Sequence, residues 1–269
     1  MKISNLQKLG QKGLIVFDID GTLTLTKAPM DRQMAALIAK LLAVKRIAII
    51  GGGKFALFKE QLHTLGELKI SKDLFKNLFL FPATATSFYI YQAGWKKVYA
   101  LQLSRAERDK IKRTFHEVLK KISYQHPQKI YGNVIEDRGT QVTFSALGQD
   151  VVAMLGTKRG VALKTRWAQE NRSLKMKIGR LVAKALPEFD VHVAGFTSID
   201  VTKKGIDKGY GLRQIEKHLH VRIKQMLFIG DAIFPGGNDY AVVKTHVDYI
   251  PVLGPAQTKE IIRALIRQK

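Results

Sequence analysis

The feature that most constrains this sequence is the stretch at 14–24, which reads L-I-V-F-D-I-D-G-T-L-T. Its first four residues form a continuous apolar run, which is typical of a strand buried on both faces of a parallel sheet. Asp18 and Asp20 follow this run, and Gly21 permits a sharp turn where the strand ends. Because ligands in open α/β sheets bind at the carboxyl ends of the strands, the stretch predicts two carboxylates at a ligand site.

Two carboxylates in this position have a defined chemistry. Together they can bind a hard cation such as Mg²⁺ through oxygen ligands. One of them can also act as a nucleophile, because aspartate carboxylates form aspartyl-phosphate intermediates. The alternative is a strand that ends in an Asx-turn, where aspartate serves only the geometry of the turn.

Composition limits the remaining possibilities. The chain has 269 residues, of which 46% are hydrophobic, so it can form one large domain or two modest ones. No apolar run approaches the length of a membrane span. Residues 1–13 are polar and basic without an apolar signal segment, so we expect a cytoplasmic protein. The absence of cysteine excludes disulfides, thiolate metal sites and cysteine nucleophiles.

The net charge is +23, with 45 basic against 22 acidic residues. The excess is spread along the chain, because residues 1–86, 87–204 and 205–269 carry +7, +12 and +4 respectively. Such a charge suits anionic ligands in general and can drive weak binding to nucleic acid. It is equally consistent with a solvated basic surface that binds no ligand.

The hydrophobic spacing divides the chain into three parts. In 1–86 and 205–269, short apolar runs alternate with helical spacing, which predicts a parallel sheet flanked by helices. Residues 87–204 combine predicted hairpins with long helices, so we expect an inserted α+β domain there. The fold class is therefore α/β. The predicted strands after the first are 46–50, 78–81, 87–92, 96–103, 133–137, 141–145, 190–194, 197–201, 225–229 and 247–252, and the predicted helices are 31–44, 54–65, 104–122, 166–186, 208–218 and 255–266.

Four polar signals lie at the ends of these elements. Phosphoryl transfer needs a nucleophile, a cation to neutralise charge, and positive or N–H donors around the phosphate. A glycine turn before a helix can supply N–H donors, and a buried lysine can pair with both phosphate and nucleophile. Taken singly, each signal is also explained by a tight turn, an exposed lysine or an Asx-turn. The signals are Asp18 with Asp20, Gly51–Gly53, Lys208, and Asp231 with Asp239.

The strings around these signals resemble the haloacid dehalogenase superfamily of phosphatases and mutases. D-I-D-G-T-L-T at 18–24 is similar to its first motif, Lys208 to its third, and G-D-x-x-x-P-G-G-N-D at 230–239 to its fourth. Within the superfamily, the chain resembles the phosphomannomutase family and the type IIB hydrolases. The further strings that carry this likeness are I-G-G-G-K at 50–54, E-D-R-G at 136–139 and T-S-I-D-V-x-x-x-G-I-D-K at 197–208.

The resemblance implies a Rossmann-like core with an inserted cap domain, and a phosphorylated sugar as substrate. It implies that Asp18 is the nucleophile and that Asp20 is the general acid and base. It also implies Mg²⁺ bound by Asp18, Asp231 and the backbone carbonyl of Asp20. Lys208 then contacts the phosphate, and a homodimer through the cap is allowed. The remaining implied contributors are the backbone of Gly51, Gly52 and Gly53, and the motif-four residues Asn238 and Asp239.

In the cap, the resemblance transfers only some substrate contacts. Arg138 is similar to an arginine that holds the distal phosphate of the sugar, and Ser198 and Asp200 are similar to residues that contact the sugar phosphate. In the first part of the chain, Lys27 stands where the family has an arginine. The resemblance also implies a second ion near three further residues, Val243, Thr245 and Asp248.

The departures from the family concern cations. Two further cap arginines of the family fall on Gln149 and Gly156 here, and Arg159 or Arg166 are candidates to replace them. A mutase must hold a phosphate at the distal end of its substrate, which calls for several cations.

The lost arginines therefore favour a sugar-phosphate phosphatase. The alternative is a phosphomutase of the phosphomannomutase type, which converts mannose 6-phosphate to mannose 1-phosphate. A distant alternative is a basic nucleic-acid-binding protein on an enzyme fold, although no DNA-reading motif supports it.

Overall fold

A computed structural model describes residues 11–267, which form two compact units. One unit runs to Ala100 and resumes at Asp207, and the other is Leu101–Ile206. Most of the N-terminal segment on which the cytoplasmic expectation depends lies outside the described residues. Across 11–267, none of the helices has both the length and the apolar character that a membrane crossing requires.

The strands are β1 (Leu14–Asp18), β2 (Arg46–Ile50), β3 (Leu78–Phe81), β4 (Ser87–Tyr91), β5 (Trp95–Ala100), β6 (Ile135–Asp137), β7 (Gln141–Ser145), β8 (Phe189–Ala194), β9 (Ser198–Lys203), β10 (Met226–Gly230) and β11 (Asp248–Pro251). The α-helices are α1 (Arg32–Leu42), α2 (Phe55–Gln61), α3 (His63–Glu67), α4 (Pro82–Ala85, one turn with left-handed residues inside), α5 (Arg105–Lys121), α6 (Val151–Glu170), α7 (Arg172–Ala185), α8 (Lys208–Leu219) and α9 (Pro255–Ile266). Short 3₁₀ segments lie at Lys72–Asn77, Ile223–Gln225 and Tyr240–Thr245.

The first unit is built on a seven-stranded sheet in the order β11-β10-β1-β2-β3-β4-β5. The five strands from β11 to β3 are parallel, and β4 and β5 extend the sheet in the antiparallel sense. Every residue of β1 is buried, with Ile15 and Phe17 in one apolar cluster and Leu14 and Val16 in another. The prediction of a central strand covered on both faces is confirmed. Its carboxyl end lies between those of β10 and β2.

Local signals set the ends of the helices that cover this sheet. The carboxylate of Asp31 accepts a hydrogen bond from Met34 N (2.8 Å), which satisfies a donor that a helix start otherwise leaves unpaired. The apolar face of α1 then packs into the core. At α8, the carboxylate of Asp207 accepts from Tyr210 N (2.7 Å), which starts this helix at Lys208. The side chain of Lys208, the first residue of α8, is thereby placed near the carboxyl ends of the parallel strands.

The second unit is a four-stranded antiparallel sheet in the order β6-β7-β9-β8. One face carries the apolar side chains of β7 and β9, which belong to a core cluster shared with α5 and α7. A capping box starts α5, because Ser104 N donates to Glu107 Oε2 (2.6 Å) and Glu107 N donates to Ser104 Oγ (3.1 Å). The other face of the sheet is polar.

Two features differ from the expectations. The sequence predicts that the strands of 87–103 belong to the inserted domain, but β4 pairs with β3 through Leu80 and Tyr89, so the first boundary lies after Ala100. The reason is aromatic burial, because Tyr89 stacks on Phe55 with ring centroids 3.7 Å apart. The helix α6 was also missed over most of its length. Gly156 (φ +74°) interrupts it and hides its period in the sequence.

Candidate active site

Three aspartates meet at the carboxyl ends of β1 and β10. Because Phe17 pairs in parallel with Ile229, the residues that follow the two strands emerge side by side. Carboxylate oxygens of Asp18, Asp231 and Asp239 lie within 4.8 Å of one another. Asp18 is 3% exposed, so its carboxylate lies inside the protein.

A lysine lies against this acidic cluster. The ammonium of Lys208 donates to Asp18 Oδ1 (2.5 Å) and to Asp239 Oδ1. Its side chain is 3% exposed, and Nζ lies 5.9 Å from the ring centroid of Phe228. The hypothesis that Lys208 holds the carboxylate of Asp18 is thus compatible with the observed contact. A buried lysine of this kind can stabilise the negative charge of a phosphoryl group.

Burial and like charges shift the ionisation of the cluster. Burial raises the pKa of Asp18 well above its ordinary value, Lys208 opposes the shift, and the other two aspartates add to it. The pKa of Asp231 is raised by burial and then by Asp239. Burial alone would lower the pKa of Lys208, but the carboxylates of Asp18 and Asp239 outweigh it and raise this pKa. Lys208 is therefore positively charged at all ordinary pH values.

The cluster has the composition of a divalent-cation site. Three carboxylates and one ammonium leave a local excess of two negative charges when all are ionised. Hard cations such as Mg²⁺ bind carboxylate oxygens and neutralise such an excess. The sequence had assigned Asp239 only a supporting role, whereas its carboxylate is part of the cluster.

Glycine and threonine complete the wall of the site. Gly21 has φ +85°, and a Cβ built there would lie 2.5 Å from Asp231 Oδ2, so any side chain would displace that carboxylate. The hydroxyl of Thr22 is fully buried and lies 3.4 Å from Asp18 Oδ2 and 3.3 Å from Asp231 Oδ1. Thr22 lies within the string at 18–24, but the sequence does not show that its hydroxyl comes close to Asp231, which is 209 residues away along the chain.

The carboxylate of Asp20 is separate from the acidic cluster. Its Oδ1 accepts from Lys27 N (2.7 Å) and from Gln61 Nε2 (2.8 Å). The predicted contribution of Lys27 was a side chain, while its backbone N–H, at φ +55°, contacts Asp20. Asp20 is thus held by one backbone donor and one amide donor, and its role as general acid and base stays a prediction.

The glycine turn after β2 is held against β3 and the turn that follows it. Gly51 N donates to Phe81 O (3.4 Å), so one of the three predicted phosphate donors is already engaged with β3. The carbonyls of Gly51 and Gly53 accept from Thr84 and Ala83, both at 2.8 Å. The predicted helix 54–65 is split into α2 and α3. The role of Gly51, Gly52 and Gly53 in phosphate binding stays a prediction.

The loop after β10 is shaped by Asp239. Ala232 N donates to Asp239 Oδ2 (3.1 Å), which fixes the carboxylate as the loop returns. Asn238, its neighbour, is exposed.

The suggested second ion site is not assembled. The hydroxyl of Thr245 donates to Val242 O (2.6 Å), and Asp248, at the amino end of β11, forms an ion pair with Lys12. Asp248 therefore lies at the opposite edge of the sheet from the acidic cluster. The side chain of Val243 is apolar and offers no ligand atom to an ion.

Two of the predicted cap residues lie on the polar face of the second unit. Ser198 and Asp200 are two residues apart on β9 and share a face. The hydroxyl of Thr143, directly across on β7, donates to Asp200 Oδ1 (2.7 Å). Asp200 is buried within this polar network.

Arg138 is paired within its own unit. Its Nε donates to Glu136 Oε2 (2.8 Å), and a terminal nitrogen donates to Gln149 Oε1 (3.2 Å). Gln149, which stands where the family has an arginine, is therefore a direct neighbour of Arg138. Arg166, a candidate replacement, is exposed and donates to Glu170 on its own helix (2.7 Å).

Comparisons with known proteins agree with these observations. A family model for eukaryotic phosphomannomutase matches residues 34–268. The chain is 26% identical over 239 residues to the phosphomannomutase of Encephalitozoon cuniculi, covering 86% of this chain and 84% of that protein. It is also 26% identical over 265 residues to phosphomannomutase 2 of Dictyostelium discoideum, covering 95% and 97%.

Solved structures show a similar fold. An N-terminally truncated IMP-nucleotidase of Plasmodium falciparum has a TM-score of 0.70 at 18% identity, covering 99% of this chain and 73% of that chain. A trehalose-6-phosphate phosphatase of Aspergillus fumigatus has a TM-score of 0.55 at 17% identity, covering 100% and 98%. At these identities the likeness concerns the fold alone. The α/β prediction with a largely parallel sheet is confirmed.

Proposed function

Because the chain belongs to the eukaryotic phosphomannomutase family of the haloacid dehalogenase superfamily, we propose that it is a Mg²⁺-dependent sugar phosphomutase. The observation that carries this proposal is the buried carboxylate of Asp18, paired with Lys208 in a group of three aspartates. The family relatives support a mutase better than the phosphatase that the lost arginines favoured. Mannose 6-phosphate and mannose 1-phosphate are the proposed pair of substrate and product.

In the first half of the reaction, Asp18 attacks one phosphorus of a sugar bisphosphate. The bond from phosphorus to the sugar oxygen breaks, and an aspartyl-phosphate forms on Asp18. Asp20 gives its proton to the leaving sugar oxygen, which departs as a hydroxyl. Lys208, beside Asp18, stabilises the negative charge on the phosphoryl oxygens.

In the second half, the acceptor is a hydroxyl of a sugar monophosphate. Asp20, now a carboxylate, takes the proton of this hydroxyl, and its oxygen attacks the phosphorus of the aspartyl-phosphate. The bond to Asp18 breaks and a sugar bisphosphate results. Return of the other phosphoryl group to Asp18 completes the exchange. Every proton given by Asp20 in one half is recovered in the other.

The acidic cluster supports the proposal of a metal. Asp18 and Asp231 would hold Mg²⁺, and Asp239 is a further candidate through the same group of oxygens. When bound, the cation neutralises charge on the phosphoryl group and on the aspartates. Residues of the chain perform the remaining steps: Asp18 forms the bond, Asp20 moves the proton, and Lys208 orients the nucleophile.

A phosphatase is the second candidate, and a specific contact favours it. Gln149 replaces a family arginine, and the guanidinium of Arg138 already contacts both Glu136 and Gln149. A cap with fewer cations holds a second phosphate less well. Water would then be the acceptor in the second half, and the sugar would be released without its phosphate.

One experiment separates the two candidates. A panel of hexose phosphates is incubated with the enzyme and Mg²⁺, with and without a hexose bisphosphate. We expect isomerised sugar phosphate, stimulated by the bisphosphate, to exceed released inorganic phosphate. Release of phosphate without isomerised product would contradict the mutase and support the phosphatase.

A further inference from the structure

Gln61 is a buried amide beside Asp20. It is the last residue of α2 and is 1% exposed. Its Nε2 lies 2.8 Å from Asp20 Oδ1 and 3.0 Å from Thr24 Oγ1. Gln61 and Asp20 are 41 residues apart in the chain. Neither the motif strings nor the proposed steps include this residue.

The orientation of the amide follows from its neighbours. The hydroxyl of Thr24 points its proton towards Ile19 O (3.4 Å), so Thr24 Oγ1 accepts a hydrogen bond from the amide. Both N–H bonds of Nε2 are therefore used, one on Thr24 and one on Asp20. The amide oxygen, Oε1, is buried without a hydrogen-bond partner among the described residues. A buried acceptor without a partner lowers stability, so a purely structural role would be served better by an apolar side chain.

The backbone around Gln61 is fixed from two sides. Met30 N donates to Gln61 O (2.8 Å), which ties the end of α2 to the segment after the motif at 18–24. In the middle of α2, the ring of Phe58 packs against Gly51, which follows β2, because a Cβ at Gly51 would lie 3.3 Å from this ring and 2.5 Å from Ile19 Cγ2. The amide is thus held at a set position relative to Asp20.

We infer that Gln61 is a positioning residue for Asp20, an inference that rests on the proposed role of Asp20 as general acid and base. Gln61 Nε2 and Lys27 N both bind Oδ1 of Asp20, which fixes the rotation of the carboxylate. The second oxygen is then aimed by this pair of donors and exchanges the proton with the sugar oxygen. Without the amide, the carboxylate rotates, and proton transfer loses its geometry.

Proton transfer to the leaving group gives this inference a specific readout. A sugar oxygen is a poor leaving group and needs protonation, whereas p-nitrophenolate leaves readily without it. Gln61→Met keeps the length and burial of the side chain but removes the amide. We expect kcat/KM for the best hexose phosphate, which reports only the formation of the aspartyl-phosphate, to fall about tenfold or more. We expect kcat/KM for p-nitrophenyl phosphate to change less than about twofold.

The controls separate positioning from structure. Leu65→Ala removes a fully buried side chain from the core next to α2, and it should not change the ratio of the two kcat/KM values. If Gln61→Met does not fold, as judged by circular dichroism, Gln61→Asn is used, because it keeps an amide but withdraws it from Asp20. Equal losses on both substrates in the folded variant would overturn the inference.

A double-mutant cycle with Asp20→Ala distinguishes this inference from the proposed function. If Gln61 acts through Asp20, Gln61→Met in the Asp20→Ala background should cause no further loss of kcat/KM on the hexose phosphate. Additive losses would overturn the positioning role and leave the acid–base role of Asp20 intact. If Asp20→Ala itself reduces kcat/KM equally for both substrates, the role of Asp20 as general acid is wrong, and the inference about Gln61 falls with it.

Discussion

Replacing Lys208 with methionine tests the electrostatic balance of the acidic cluster. Lys208→Met keeps the length of the side chain and removes the only ammonium that contacts Asp18 and Asp239 in the described part of the chain. Two unit charges at the observed 2.5 Å attract by about 7 kcal/mol if the effective dielectric constant is about 20. Methionine carries no charge that has to be removed from water, which offsets part of this loss. Removing one partner of a buried ion pair typically costs about 3–5 kcal/mol of stability.

The loss of stability in Lys208→Met can be measured as a change in Tm. At about 2–4 °C per kcal/mol for a chain of this length, the Tm of Lys208→Met should fall by about 6–20 °C in EDTA. Adding Mg²⁺ should recover more Tm in the variant than in the wild type, because the three carboxylates then lack any other cation. Thermal unfolding followed by circular dichroism measures both effects.

The same variant has a predictable pH dependence. The folded-state pKa of Asp18 lies above its ordinary value of 3.8, so the folded state binds a proton more tightly than the unfolded state does. A group of this kind stabilises the fold below its unfolded pKa, and that contribution is lost as the pH rises through the folded pKa. Without Lys208 this pKa should rise further, so the Tm deficit should shrink as the pH falls from 7 towards 4.

Lys175→Met is the matched control. Lys175 is also a buried lysine, but it donates to the carbonyls of Gly195 and Phe196 instead of to carboxylates. Its loss should lower the Tm by an amount that does not depend on Mg²⁺. A Lys208→Met protein as stable in EDTA as the wild type, or one with no greater response to Mg²⁺, would refute the reasoning about the cluster.

The remaining predictions concern the nucleophile, the metal, the cap and a helix start. Asp18→Asn should fold and lose turnover by orders of magnitude, because an amide cannot attack phosphorus; near-normal turnover of the purified variant would disprove the mechanism. Chelation with EDTA should abolish activity and Mg²⁺ should restore it, whereas full turnover in excess EDTA would exclude the proposed metal. Arg138→Ala should raise KM for the hexose phosphate while hydrolysis of p-nitrophenyl phosphate stays constant, and Gln149→Arg should increase isomerisation relative to hydrolysis; unchanged ratios would place both residues away from the substrate. Asp31→Ala should lower stability by about 1 kcal/mol through loss of the N-cap, with kcat unchanged, as urea unfolding and steady-state assays would determine.

The buried strands of the parallel sheet were predictable from the sequence because each appears as a short apolar run. The apolar runs at 46–50 and 78–81 coincide with β2 and β3, and the run before Asp18 is buried on both faces of the sheet. Parallel strands present their carboxyl ends at one edge, so aspartates after such runs can be expected to meet. The same logic accounts for the meeting of Asp18 and Asp231.

The partners of these residues could not be predicted, because they depend on tertiary contacts. The side chain of Gln61 reaches Asp20 only after α2 folds back onto the loop that follows β1. The pairing of β4 with β3 was likewise invisible, since an antiparallel hairpin has the same hydrophobic pattern in either domain.

The contact between Arg138 and Gln149 changes how a missing arginine should be interpreted. From the sequence, Gln149 in place of a cation predicts a weaker grip on a second phosphate. In the folded unit, Gln149 Oε1 accepts from a terminal nitrogen of Arg138, and Glu136 Oε2 accepts from Nε of the same guanidinium. An arginine at 149 would replace this acceptor with a like charge beside Arg138, and Glu136 would then be shared by two guanidinium groups. The substitution therefore alters the orientation of Arg138 as well as the number of cations. Isomerisation regained in Gln149→Arg has to be compared with Gln149→Met, which removes the acceptor without adding charge, before it is assigned to the restored cation.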